Sequence, residues 1–294
     1  MRKFIFWLIA AVLVLVPASY AIDGNAKVMF AGDMFFDRYI RQVAQNKGGD
    51  FIFSCIGDFL KVSDLVVGNL EGPITDNSSV SQGTEIGSPL NYVFTFPPET
   101  AELLSKYNIK LVNLGNNHIN NFGKTGITST KEYLEKAGVN FIGGIAGDEP
   151  IYRTRLGGTN VSFVSFNEFG GDSAKEVVQK IKNEVLDNRM VIVYAHWGDE
   201  YISAPIRVKN IATLFAQNGA SLIVGSHPHI YLPKETIGET LVYYSLGNFI
   251  FDQYWNESVS TGLLLEVEIK DGRIELTEHK VVINRDGRTC LEKS

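Results

Sequence analysis

Apolar residues come along this chain in short runs, and five of those runs stop at glycine, asparagine, aspartate, glutamate or histidine. Residues 27–31 halt at Gly32-Asp33, and 65–68 halt at Asn69-Leu70-Glu71. Residues 109–114 halt at Gly115-Asn116-Asn117-His118. Residues 190–194 run into Ala195-His196-Trp197-Gly198, and 221–224 run into Gly225-Ser226-His227-Pro228-His229. Short apolar runs bounded by turn formers predict buried strands. Between them the spacing predicts helices over 39–45, 51–62, 98–107, 125–137, 173–188 and 208–218, with Ser173 as a cap and Gly138 and Gly219 as stops. Residues 76–89, rich in Ser, Gly, Thr and Pro, predict a long surface loop. Residues 151–166 alternate around Gly157-Gly158 as a hairpin. Beyond residue 239 the chain is β-rich, over 239–245, 262–270 and 273–284, with Asp271-Gly272 turning between the last two. Alternating strand and helix followed by hairpins predicts a layered α/β fold whose final strands pack on or extend the sheet.

In α/β sheets, ligands gather outside the carboxyl ends of the strands. Should these ends lie side by side, one pocket collects two carboxylates, several amides and four imidazoles. The chain has 5 histidines, and His118, His196, His227 and His229 all fall in the strand-end motifs. His279 lies in an alternating C-terminal stretch and reads as a structural or surface residue. A lone histidine after a strand is more often a hydrogen-bonded core residue than a ligand. Imidazole and carboxylate together form the ligand set of zinc, manganese and iron, which favours a metal over a metal-free polar cluster. An extended 227–229 segment stiffened by Pro228 predicts that its two rings point the same way.

The first residues change the picture of compartment. Arg2 and Lys3 precede an unbroken apolar run over 4–16, which Pro17 ends, and Ser19-Tyr20-Ala21 supplies small residues for cleavage. That layout predicts a secretory signal over 1–21 and an exported mature chain over 22–294 folded as one domain. The apolar run is shorter than the roughly 20 residues of a spanning helix. The chain's net charge of −6 becomes about −8 without Arg2 and Lys3. Such acidity excludes a general attraction to nucleic acid, and an anionic polymer would need a local cationic centre. Export permits a disulfide between Cys55 and Cys290. Sequence alone does not bring them together, and two unpaired thiols are the favoured expectation.

Six motifs in order carry a family resemblance. They are Gly32-Asp33 with Arg38; Asn69-Leu70-Glu71-Gly72-Pro73; Asn116-Asn117-His118; His196-Trp197-Gly198-Asp199-Glu200-Tyr201; Gly225-Ser226-His227-Pro228-His229; and the stretch Tyr244 to Asp252. The chain thereby resembles the CapA family of poly-γ-glutamate capsule synthesis, similar in turn to calcineurin-like metallophosphatases. The resemblance implies a four-layer α/β/β/α sandwich around one or two divalent ions. By it, Asp33 and His229 bind a first metal, Glu71 bridges, and Asn117, His196 and His227 bind a second, with His118 as acid or transition-state donor. Two positions depart from the pattern. Phe35 stands where the phosphatase pattern has a histidine ligand, and Asn121 stands where a carboxylate often orients the catalytic histidine.

Other residues have candidate roles beside bland ones. Arg38 is a fork for an anionic ligand or a helix-start residue. Trp197 walls a polymer groove or packs in the core, the commoner job. Glu200 and Tyr201 border the pocket, or Glu200 pairs with a nearby base. Asn248 and Asp252 hold the histidine ligands or form turns. The expected function is metal-assisted hydrolysis or transfer on an extracellular anionic polymer, alongside a membrane-bound polymer synthase complex. The released chain would sit in the periplasm, outside the cell or at its surface. The rivals are a non-catalytic binding or assembly subunit and a secreted phosphoesterase.

Overall fold

A computed structural model of the chain describes residues 24–292, and the signal segment expected over 1–21 lies outside the described residues. The first strand, β1 (Ala26–Met34), shows how the layers arise. Successive side chains of a strand face opposite ways. Val28 and Phe30 accordingly enter one apolar cluster, and Met29 and Ala31 enter another. β2 (Leu65–Leu70), β3 (Ile109–Asn113) and β4 (Asn140–Ile142) follow β1 in parallel order. A hairpin of β5 (Ile151–Leu156) and β6 (Thr159–Asn167) then opens a second sheet, continued in parallel by β7 (Met190–His196) and β8 (Ala220–Ser226).

Five short strands link the sheets: β9 (Tyr231–Leu232), β10 (Glu235–Ile237), β11 (Thr240–Tyr243), β12 (Ser245–Leu246) and β13 (Asn248–Ile250). β11 adds to β8, while β13 returns to lie beside the end of β1. β14 (Thr261–Lys270), β15 (Arg273–Ile283) and β16 (Thr289–Leu291) extend the first sheet in antiparallel fashion. The first sheet runs β16-β15-β14-β1-β2-β3-β4 and the second β10-β11-β8-β7-β6-β5.

Three apolar clusters define four layers. Val28, Phe30 and Val67 of the first sheet meet Phe163, Ile192 and Tyr194 of the second between the sheets. The outer face of the first sheet is covered by α1 (Arg38–Lys47), α2 (Asp50–Phe53), α3 (Gly57–Leu60), α4 (Glu99–Lys106) and α5 (Gly123–Lys136). The outer face of the second is covered by α6 (Ala174–Leu186) and α7 (Ile206–Gln217). This is the expected α/β/β/α sandwich. Among the described residues, no helix is long and apolar enough to cross a membrane.

Ser173 caps α6 as expected, in a reciprocal capping box with Glu176. The single helix expected over 51–62 is instead two short ones. Gly57 explains the break. A Cβ there would stand 2.3 Å from the Tyr107 ring, which itself stacks on Phe53 at 4.4 Å. The helical stretch bends around that ring and leaves Cys55 exposed at the bend. There Cys55 is bonded to Cys290 of β16, with 4.9 Å between their Cα atoms. The expectation of two unpaired thiols is thereby corrected. Cys290 lies on a strand laid against β15.

The bridge spans 235 residues of sequence. Cross-links over long loops remove the most freedom from the unfolded chain, typically about 2–5 kcal/mol. Cys55→Ser with Cys290→Ser should lower stability by about that amount. Reductant should bring the wild type to the same melting temperature while leaving the variant unmoved. Equal melting temperatures for oxidised wild type and variant would contradict the bridge's role.

Candidate metal centre

The carboxyl ends of β1, β2 and β3 meet those of β7 and β8, so the polar strand ends of both sheets collect in one place. Two glycines permit the approach. A Cβ on Gly32 would lie 1.8 Å from the carbonyl oxygen of Gly247, and one on Gly225 would lie 2.1 Å from that of Tyr244. Asp33 joins the sheets through its fully buried carboxylate. Its Oδ1 accepts from Asn69 Nδ2 at 2.8 Å, and its Oδ2 accepts from the backbone N–H of His227 at 3.2 Å.

Six of the residues expected as ligands come together here. Asp33, Glu71 and His229 form one group of ligand atoms within 4.8 Å of one another, and Glu71, His196 and His227 form a second. Glu71 belongs to both, the placement a bridging carboxylate requires. Asn117 presents its Oδ1 2.8 Å from His196 Nε2, beside the second group. Two buried atoms, Glu71 Oε1 and His227 Nδ1, have no hydrogen-bond partner among the described residues. Buried polar atoms are rarely left unpaired, because burial without a partner costs a few kcal/mol. Glu71 Oε1 has only the His229 Nε2 at 3.5 Å near it, and a carboxylate and imidazoles so placed fit a divalent cation.

The convergence of His227 and His229 has a different cause from the one expected. Their backbone is not extended. Both residues sit in the left-handed region, at φ 96° and 57°, in bends that follow β8. The turns bring the ring centroids to 6.0 Å. Non-glycine residues held there are strained, a feature that clusters at functional sites.

The surroundings decide which rings carry charge. Burial and then the charge on His229 push His227 down to about 4. Burial, with smaller contributions from the neighbouring imidazoles, holds His196 well below the usual histidine range. Burial also lowers His118 to about 3, against a weaker opposing effect of its bond to Asn121. His229 is the exception. Burial opposes its charge, but Glu71 and Asp33 outweigh that and raise it to about 9. Its Nδ1–H donates to Asn248 Oδ1 at 2.9 Å, which leaves Nε2, 3.5 Å from Glu71, to face the cluster. Burial pushes Glu71 well up too, with Asp33 adding and His229 opposing.

His118 lies beside this cluster. Its Nδ1 is 3.1 Å from Asn121 Oδ1, and its ring packs on Phe94 at 4.1 Å between centroids. Asn121 Oδ1 also accepts from the backbone N–H of Phe94. An amide oxygen only accepts, so Nδ1 carries the hydrogen, and the neutral ring presents an unprotonated Nε2. Phe35, in place of a ligand, is buried against Phe94 and Phe251 at 4.8 and 4.6 Å. Asn248 lies against His229, its Oδ1 2.9 Å from Nδ1.

Three expectations are corrected. Trp197 does not wall a groove. It is fully buried, donates Nε1–H to the carbonyl of Tyr244, and packs in the outer cluster of the second sheet. Asp252 holds no histidine. It pairs with Arg38 at 2.5 Å. That pair and a bond to Asn91 Oδ1 at 3.0 Å occupy the guanidinium expected to be free for a ligand. Glu200 is exposed at the rim, close enough to raise both Glu71 and His229. His279 pairs with Glu266 at 3.0 Å, a structural place as expected.

Sequence reasoning assigns no role to Asn69, Asn116 or Phe169. Asn116 donates to Asn69 Oδ1 and to the carbonyl of Leu70, and its own Oδ1 accepts from the N–H groups of His118 and Ile119. Both asparagines stand in strand-end motifs, which is the signal that could have found them. Phe169, whose ring lies 4.4 Å from that of His227, follows β6 in a stretch with no such mark.

At neutral pH the metal-free cluster therefore holds one imidazolium, His229, with a proton on each ring nitrogen. A cation that takes Asp33, Glu71 and His229 must displace one of them. Uptake of a divalent cation at pH 7 should release protons to an indicator dye, and apparent affinity should rise with pH until His229 titrates near 9. Affinity independent of pH between 6 and 9 would contradict this charge distribution.

Over 280 residues the chain is 29% identical to a Bacillus subtilis (strain 168) protein named PGA biosynthesis protein CapA, covering 87% of this chain and 71% of the relative. Over 274 residues it is 26% identical to the capsule biosynthesis protein CapA of Bacillus anthracis, covering 84% of this chain and 65% of that one. Residues 27–253, which hold every residue of the centre, match the family described as bacterial capsule synthesis protein PGA_cap, and the chain belongs to that family.

Proposed function

We propose that this chain is an exported, divalent-metal-dependent hydrolase or transferase acting on a poly-γ-glutamate-type anionic polymer during capsule synthesis. One observation carries the reading. Two groups of buried carboxylates and imidazoles share Glu71, with Glu71 Oε1 and His227 Nδ1 lacking a hydrogen bond among the described residues. Asp33, Glu71 and His229 would hold one ion, and Glu71, His196, His227 and Asn117 a second. Manganese, iron or zinc bound there would polarise a carbonyl or phosphoryl oxygen and supply the cationic centre that an acidic chain lacks.

The chain's own residues do the rest. Asn69, Asn116 and Asn248 fix the carboxylates and His229 by hydrogen bonds, so the site is preorganised. His118 starts neutral with Nε2 open. It accepts a proton from the attacking group and returns it to the leaving group. A membrane-bound polymer synthase is the partner such chemistry would serve.

One observation favours a second reading. Phe35 is locked into an aromatic cluster and gives the first ion no fourth side chain. An ion held by three side chains could serve only to grip polymer carboxylates in a non-catalytic assembly subunit.

Elemental analysis should find about one or two equivalents of manganese, iron or zinc in the purified protein, and His227→Ala should lose most of it. No bound metal after supplementation would remove the hydrolase reading. His118→Ala should keep its metal and lose about 10²–10⁴-fold in turnover of the polymer. Polymer binding without turnover under any metal would decide for the assembly subunit.

A further inference from the structure

A groove of about 520 Å³ opens beside the centre, between α1, the 81–92 loop and the segment after β13. Its walls include Tyr39, Tyr201 and Trp255, residues that are 38%, 41% and 54% exposed. Exposed aromatic rings gathered in one depression are an unusual cost for a surface unless something covers them. Tyr254 also lines it, with its hydroxyl buried and unpartnered among the described residues.

The groove is wired to the metal centre. His229 donates to Asn248 Oδ1, Asn248 Nδ2 donates to Gln253 Oε1 at 2.9 Å, and Gln253 Nε2 donates to the Tyr201 hydroxyl at 3.0 Å. The Tyr201 ring lies 5.9 Å from His229 on one side and 5.5 Å from Trp255 on the other. Tyr201 is held there at φ 64°, and its N–H donates to the carbonyl of Pro228 between the two histidines.

Charge gives the groove a direction. Its charged lining is Arg38, Arg285 and Asp252, and Arg38 is neutralised by Asp252. Arg285 donates to the carbonyl of Tyr254 at 2.7 Å and meets no carboxylate among the described residues. Glu200 stands beside Tyr201 at the edge of the groove, while Glu168 and Asp199 both pair with Arg207 outside its lining. Within the groove a chain of carboxylates is drawn to Arg285 and held away from Glu200.

We propose that this groove is the subsite for the non-reacting length of an acidic chain, with Arg285 holding a carboxylate and Trp255 and Tyr201 covering its methylene stems. The proposal rests on the polymer reading above and adds where the polymer lies. Binding energy from a remote stretch of substrate positions the reacting bond. Longer chains should therefore bind better than short ones, through residues remote from the metal.

Titration calorimetry of the manganese-loaded full chain tests this, with a γ-linked glutamate dipeptide and a long γ-linked glutamate oligomer as probes. Trp255→Ala and Arg285→Ala, both at exposed positions, should keep their metal. Each should weaken the oligomer about tenfold, the worth of one charge-assisted bond or one stacked ring, and leave the dipeptide unchanged. Wild-type oligomer affinity in both variants overturns the groove and leaves the polymer reading standing. Equal weakening of dipeptide and oligomer, or loss of metal, also overturns it, since the residues then act through the centre. Failure of the wild type to bind either probe removes the polymer reading and the groove together.

Discussion

Everything in this molecule turns on the burial of two carboxylates, Asp33 and Glu71, at the seam where two sheets end. Buried charge is tolerated only when paired or coordinated. Here the pairing comes from the opposite sheet. His227 and His229 reach across from the end of β8, and the backbone N–H of His227 binds Asp33 directly. Neither sheet holds the cluster alone, so the apolar layer between them, with Phe30 against Phe163 and Tyr194, also holds the site in register.

Around the carboxylates stands a ring of amides rather than charges. Asn69, Asn116 and Asn248 each spend donor and acceptor on a neighbour, and Asn113 adds bonds to Asn69 Oδ1 and to the hydroxyl of Ser165 on β6. Amides satisfy buried partners without adding net charge, and burial keeps three of the four imidazoles neutral. A site of that kind is short of positive charge by construction, and its donor set fits a divalent cation.

A second charged network ties the loop before α4 to the same region. Asp37 is fully buried, accepts from Arg41, Ser81 and the N–H of Thr95, and so pins two ends of that loop beside α1. Arg38 does the same work one residue on, between Asp252 and Asn91. Breaking a buried pair strands a charge, so these contacts specify one loop position. The groove beside the metal centre keeps its shape for that reason.

The layered fold was legible in the sequence because strands and helices have different periods, and polar residues at strand ends pointed to one pocket, within which the family resemblance implied the set Asp33, Glu71, Asn117, His196, His227 and His229. Those signals are local, and local patterns survive in a one-dimensional string. What only the tertiary structure decided is everything set by contact between distant segments. The bridge of Cys55 to Cys290 depends on β16 being laid beside α2. The capture of Arg38 by Asp252, the burial of Trp197 and the approach of Phe169 to His227 depend on which chain ends meet. Even the convergence of His227 and His229 came from left-handed turns that their spacing does not reveal. A sequence records which side chains a site can use, while the packing of two sheets fixes their partners, and partners set charge, exposure and direction.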